Sequence, residues 1–269
     1  MSGAISLTPV DLAIASSLIV FDAILSLVFR LRLHRQILVA SVRLVVQLVA
    51  IGYVLKFIFA LNNPAVTLML ITVMVLIAAR ETVARSERRF KGQDGLAIGA
   101  ASVASATVVT ALFALTTALR PHPWYDPRYA VPLAGILLGN ILNATSLSLD
   151  SLLSAMAVQR SAIEARLTLG VSYWEAATPF VRDAIRRGLV PIINQMSAAG
   201  VVTLPGIMTG QILAGLDPLE AVKYQILLMF LLAGGSGLAA AGAAYLAAWR
   251  LTDTRQRLRL DRLTRSGPR

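Results

Sequence analysis

The chain is a succession of apolar runs, many of them about twenty residues long, separated by short segments that carry most of its charge. At about 1.5 Å of rise per helical residue, such runs match the ~30 Å hydrocarbon core of a bilayer. Inside lipid every backbone amide needs an internal partner, so each run is expected to be a helix. Composition supports the class: 57% of the 269 residues are hydrophobic and 14% are charged, whereas a soluble domain carries about 25% charge. The expected fold is all-α, a polytopic membrane protein with about seven transmembrane helices.

In chain order, Ser6 to Phe29 is the first run. No basic segment precedes it and no small-residue cleavage site is convincing, so it reads as a retained helix rather than a signal peptide. Arg30, Arg32, His34 and Arg35 follow. Ile37 to Phe59 returns, Asn62-Asn63-Pro64 predicts a tight turn, and Ala65 to Ala79 is a short span completed by Leu61 or by tilt. Arg85, Arg88, Arg89 and Lys91 form a second basic cluster. Gly95 to Leu119 leads to segment 120–128, whose three prolines forbid a regular helix and whose Trp124 and Tyr125, with Tyr129, suit the headgroup level. Val131 to Leu153 and Gly188 to about Val202 are the next spans. Thr203-Leu-Pro-Gly206 breaks the latter, and Ile207 to Leu216 is too short to cross, so it is a re-entrant piece or an external cap. Val222 to Trp249 is the last span. Residues 1–251 therefore read as one transmembrane domain and 252–269 as a basic tail, solvated or lying on anionic lipid.

The basic clusters fall on one side of this arrangement, which by the positive-inside rule puts the N-terminus outside and the C-terminus in the cytoplasm. The protein is expected to be multi-pass in the cell's inner (cytoplasmic) membrane. The net charge of +11 follows the loops and does not indicate nucleic acid. With no cysteine, disulfides, thiolate metal sites and cysteine nucleophiles are excluded together.

Ser161 to Pro191 is a polar island, and its punctuation predicts a shape. Glu164, Arg166 and Leu169 continue a helix that Gly170 can end in the left-handed conformation. Ser172 and Glu175 spell a capping box. Thr178-Pro179 repeats the start signal, an N-cap followed by proline at the first helical position. The expected result is a helix of little more than one turn around Trp174, presenting Val171, Tyr173 and Trp174, and a new helix from Pro179.

Polar residues within the runs are pathway candidates, because a charge at the bilayer centre costs on the order of 3 kcal/mol. Asp22 is placed to pair with Arg43, while Arg43 and Gln47 share a helix face; Lys56 reads as snorkelling outward. Gly135 and Gly139 make a G-x-x-x-G spacing for close helix approach, beside Asn140 and Asn143. Those two bond across helices or line a path. Asn194, Gln195 and Ser197 make a similar stripe. Leu204 to Gln211, with Met208, Thr209 and Gln211, is a candidate gate, since broken helices at membrane depth are tolerated where they line a cavity. No G-x-x-x-x-G-K-[ST] occurs, so the chain carries no P-loop for ATP. His34 and His122 are predicted on opposite sides, and no paired-carboxylate or H-E-x-x-H motif appears. The metal ligands, if any, are unknown at this point.

Glu164-Ala165, Gly170, Ile185 and Pro191 resemble the EAA-type loop of ABC-transporter permeases, with a longer gap between Gly170 and Ile185. The blocks Arg43-Leu-Val-Val-Gln-Leu, Gly52 to Phe59, Gly139-Asn140, Glu164 to Gly170, Leu204-Pro-Gly-Ile-Met-Thr-Gly210 and Gly215 to Ile226 resemble, in order, the iron-export ABC permeases of the FetB type. Plant aluminium-tolerance permeases are relatives of that family. The resemblance implies a permease subunit, not an enzyme, that exports iron and contributes to oxidative-stress resistance. It implies a separate ABC ATPase subunit carrying ATP and magnesium, no cofactor on this chain, and a homodimer in the lipid bilayer. It also implies that segment 161–187 couples to that ATPase through Glu164, Arg166, Gly170, Val171, Tyr173, Trp174 and Glu175. A secondary transporter or channel for a cation or small solute is the alternative.

Overall fold

A computed structural model describes residues 8–61, 63–121, 123 and 126–265. Ser6, Asn62, His122, Trp124 and Tyr125, named above, lie outside the described residues. In chain order the elements are α1 (Pro9–Val28), α2 (His34–Leu61), α3 (Pro64–Arg85), β1 (Arg88–Phe90), α4 (Asp94–Phe113), α5 (Pro127–Val158), α6 (Arg160–Thr168), α7 (Tyr173–Ala198), α8 (Gly206–Leu213), α9 (Pro218–Arg250) and β2 (Leu263–Arg265). Six of them are long and apolar enough to cross a membrane: α1, α2, α3, α4 with its extension to Ala118, α5 and α9. The expected span from Gly188 lies in the second half of α7, whose first half carries Arg182, Asp183, Arg186 and Arg187; that helix is not among the six.

The chain divides into two compact units. The first holds α1 and α2, which pack on each other. Helix α1 opens with a reciprocal capping box between Thr8 and Asp11 and with Pro9 at its first position. Ala23 and Ser26 of α1 and Ile58 of α2 are buried, and most other apolar side chains of the pair face outward, as a bilayer solvent permits.

The second unit is a bundle organised around α5, which packs against α3, α4, α7 and α9. Asp126 caps α5 and Asp217 caps α9, each followed by proline where the missing N–H costs nothing. Two apolar clusters form the core. One gathers Leu137, Ile141, Met229, Leu232 and Ile192; the other gathers Leu152, Met156, Tyr173, Val181, Ala247 and Leu251. Helix α7 contributes to the second cluster with its start and to the first with its end, so it runs antiparallel to α5 and α9. Lipid supplies no hydrophobic drive for helices to associate, so close packing must do it, and small residues permit that packing. Ala239, Ala240, Ala243, Ala244, Ala247 and Ala248 form a fully buried stripe along α9.

Several expectations are corrected. The third helix does not stop at Ala79: it continues through Arg80 and Glu81 to Arg85, so neither Leu61 nor tilt is needed to complete it. Pro179 does not begin a helix. Helix α7 is continuous from Tyr173 to Ala198 with Pro179 and Pro191 inside it, and the Thr178 hydroxyl donates to the Trp174 carbonyl at 2.7 Å instead of capping. The described part of the tail, 252–265, packs on the bundle and is not a free segment. Its β2 pairs antiparallel with β1, Phe90 opposite Leu263 and Arg89 opposite Thr264, while Leu258 and Leu260 pack on the cluster that buries Leu251 and Leu263.

Candidate functional site

The polar island folds as α6, a turn, and the first turns of α7. Helix α6 ends in a Schellman arrangement: the Gly170 N–H donates to the Leu167 carbonyl and the Val171 N–H to the Arg166 carbonyl, each at 3.1 Å. This closure places Gly170 at φ +86°, the region an L side chain enters only with strain. Two residues later Ser172 takes an extended conformation, and its hydroxyl accepts the Glu175 N–H at 3.3 Å. The chain therefore reverses within Leu169–Ser172, bracketed by a C-cap and an N-cap.

The turn is apolar beneath and mixed above. Ile163 and Tyr173 are almost fully buried, and Leu167 and Val171 pack at the edge of the same cluster. Leu169 and Trp174 face outward, 83% and 42% exposed, beside exposed Arg166 and Glu175. Glu164 pairs with Arg160 one turn earlier at 2.8 Å. The Trp174 ring stacks edge-on against Tyr173 and lies near Tyr245. A large aromatic and a leucine thus stand exposed on a buried, capped base, beside charged side chains.

The base is tied to α9 and the tail. The Tyr173 hydroxyl donates to the Ala248 carbonyl at 2.7 Å, and burial pushes this phenol's pKa up. The Tyr173 N–H donates to the side-chain oxygen of Gln256 at 3.0 Å. Arg262 donates to the carbonyls of Arg250 and Thr252, which lie at the end of α9. The Arg250 side chain pairs with Asp94 at the start of α4, at 2.7 Å. Beside the turn, a cleft of about 590 Å³ is lined by Trp174, Trp249, Thr252, Asp253 and Gln256.

The pathway candidates fall in both units. Asp22, Arg43 and Gln47 are exposed on the first unit. In the second unit, Asn143 accepts a hydrogen bond from Arg85 of α3 at 2.8 Å, and Asn140 donates to its own helix at Ile136. Asn194 and Gln195 are exposed near the end of α7. Met208, Thr209 and Gln211 are half-buried on α8, where Thr209 bonds back to the Pro205 carbonyl. Among the described residues, no group of three or more His, Asp or Glu side chains is placed to hold a metal ion.

A family model described as "Uncharacterised protein family (UPF0014)" matches residues 9–251. The chain belongs to the UPF0014 family. Among its relatives, the "UPF0014 membrane protein slr1647" of Synechocystis is 40% identical over 75% of this chain and 77% of its own length. The "Probable iron export permease protein FetB" of Escherichia coli is 30% identical over 96% of this chain and 97% of its own. "Protein ALUMINUM SENSITIVE 3" of Arabidopsis thaliana is 30% identical over 87% and 84% respectively. No solved structure matches the chain. The resemblance to FetB-type and plant proteins is thus borne out, and this UPF0014 chain is an integral membrane protein.

Some residues of this UPF0014 chain matter more than the sequence reading allowed. At Gly188 α7 passes close to α5 and α9: a Cβ there would sit 2.8 Å from the Ala144 carbonyl oxygen and 2.9 Å from the Ala240 Cβ. The expected close approach at Gly135 and Gly139 is only half found. Gly135 touches Met74, while a Cβ at Gly139 would meet nothing within 4 Å. The alanine stripe of α9 was visible in the sequence as small residues at helical spacing. Gln256 carried no signal at all.

Proposed function

We propose that this chain is the membrane-spanning permease subunit of an ABC-type exporter in the cytoplasmic membrane, with iron as cargo. In this reading a separate ATPase subunit carries ATP and magnesium, and it engages the turn between α6 and α7. The observation that carries the reading is the exposed Leu169 and Trp174 on a buried, capped base, in a chain aligned over nearly its full length with the protein named "Probable iron export permease protein FetB". The basic clusters, including Arg85, Arg88 and Lys91, orient that end toward the cytoplasm. Helix α7 is the seventh crossing in this scheme: its start packs in one apolar cluster and its end in the other, against α5 and α9. Two copies with two ATPases complete a path that one copy is too small to enclose.

The test is co-expression with the cognate ATPase and reconstitution into liposomes. ATP-dependent movement of ferrous ion is expected, with Trp174→Ala weakening ATPase association by at least about tenfold, as hot-spot aromatics do. Ion movement by this chain alone, without nucleotide, would assign it instead to the secondary transporters or channels.

A further inference from the structure

The C-terminal segment makes a set of contacts that an anchor for lipid or a solvated tail has no reason to make. After α9 the chain turns back, and the Arg259 N–H donates to the Leu251 carbonyl at 2.8 Å. The segment then reaches two other parts of the second unit. Through β2 it completes a two-stranded sheet with the α3–α4 connection. Through Gln256 it accepts the first backbone N–H of α7. Gln256 does this from φ +56°, a left-handed conformation that a non-glycine residue enters only with strain. Strain of this kind persists only where the surroundings impose it. Here the Gln256 N–H is held by the Asp253 carbonyl at 2.9 Å, and the side chain is aimed at one of the orphan amides that a helix start must satisfy.

We propose that segment 251–265 is a clasp that fastens the α6–α7 turn to the end of α9, with Gln256 as its positioning residue. Tyr173 is held twice, by its N–H on Gln256 and by its hydroxyl on Ala248. A push on the turn therefore reaches α9 directly, in addition to travelling along α7. From the end of α9 it passes to α4 through the Arg250–Asp94 pair. This deepens the coupling reading above and rests on it for the source of the push.

The experiment compares Gln256→Gly, which relaxes the backbone and removes the acceptor, with Gln256→Glu, which keeps an acceptor. Hydrogen exchange at the Tyr173 amide is measured on the purified full-length chain. Ferrous ions moved per ATP are measured on the reconstituted complex with the ATPase. Gln256→Gly is expected to speed Tyr173 exchange roughly fivefold, the loss of one ordinary hydrogen bond, and to lower the ions moved per ATP while hydrolysis continues. Gln256→Glu is expected to stay near wild type in both. Unchanged exchange in Gln256→Gly overturns the clasp. Faster exchange with an unchanged ratio overturns its role in transmission. Equal damage from both variants overturns the acceptor role of the side chain. A wild-type complex with no ATP-driven ion movement overturns the coupling reading and the transmission role, and the exchange data still decide the clasp.

Discussion

Two glycines show how differently single positions are constrained. Gly170 is needed for its own backbone, at φ +86°, with open space where a side chain would be. Gly188 is needed for its neighbours. A Cβ there meets the Ala144 carbonyl oxygen, the Ala240 Cβ and, at 3.3 Å, the Ser148 Cβ, none of which is the free end of a flexible side chain. Ser148 is itself pinned, its hydroxyl donating to the Ala240 carbonyl at 3.0 Å. Gly188→Ala is therefore expected to destabilise the bundle by about 1–3 kcal/mol through overpacking, read as a lower Tm in detergent. Gly139→Ala should leave Tm unchanged, since its Cβ enters open space. Gly170 was legible in the sequence because a C-cap is local, whereas the role of Gly188 depends on residues far away in the chain.

At the scale of elements, the contest at Pro179 is instructive. Thr178-Pro179 is a strong start signal, but helix already exists before it, because Tyr173, Ala176 and Ala177 are buried along one face. Packing of that face outweighs the lost bond of a single proline near a helix start. The tail makes a second element-scale case. Asp253 accepts the N–H groups of Arg257 and Arg255 and pairs with the Arg257 side chain. These bonds hold its carboxyl at about 2, below the ordinary 3.8, the backbone bond from Arg257 contributing most. Arg259 likewise holds Asp261 at about 2. Folding of this segment lowers both pKa values, so the ordered segment binds fewer protons than the disordered one. The stability these two carboxylates lend the segment is full above pH about 4 and is lost as pH falls through about 2. Tryptophan fluorescence, which samples Trp174 and Trp249 at the adjoining cleft, should change across that window, and Asp253→Asn should perturb the signal already at pH 7.

At the scale of the whole molecule, the proposed crossing of α7 decides the topology. With six crossings the two termini share a side; with seven they do not. The chain contains no cysteine, so single reporters are clean. On intact cells, Ala214→Cys is expected to react with a membrane-impermeant maleimide and Leu169→Cys only after permeabilisation. Both positions are exposed. Labelling of both from outside, or of neither, would show that α7 does not cross.

Local sequence determined the helical runs, their caps at Thr8, Asp126 and Asp217, the reversal at Gly170 and the membrane class. Each of these depends on a few consecutive residues and on the cost of an unpaired amide in lipid. The continuity of α7, the crossing at Gly188 and the docking of the tail were decided only in three dimensions. The bond from Tyr173 to Gln256 joins residues 83 apart, and a partner at that distance leaves no periodicity, cap or composition by which a linear reading could find it.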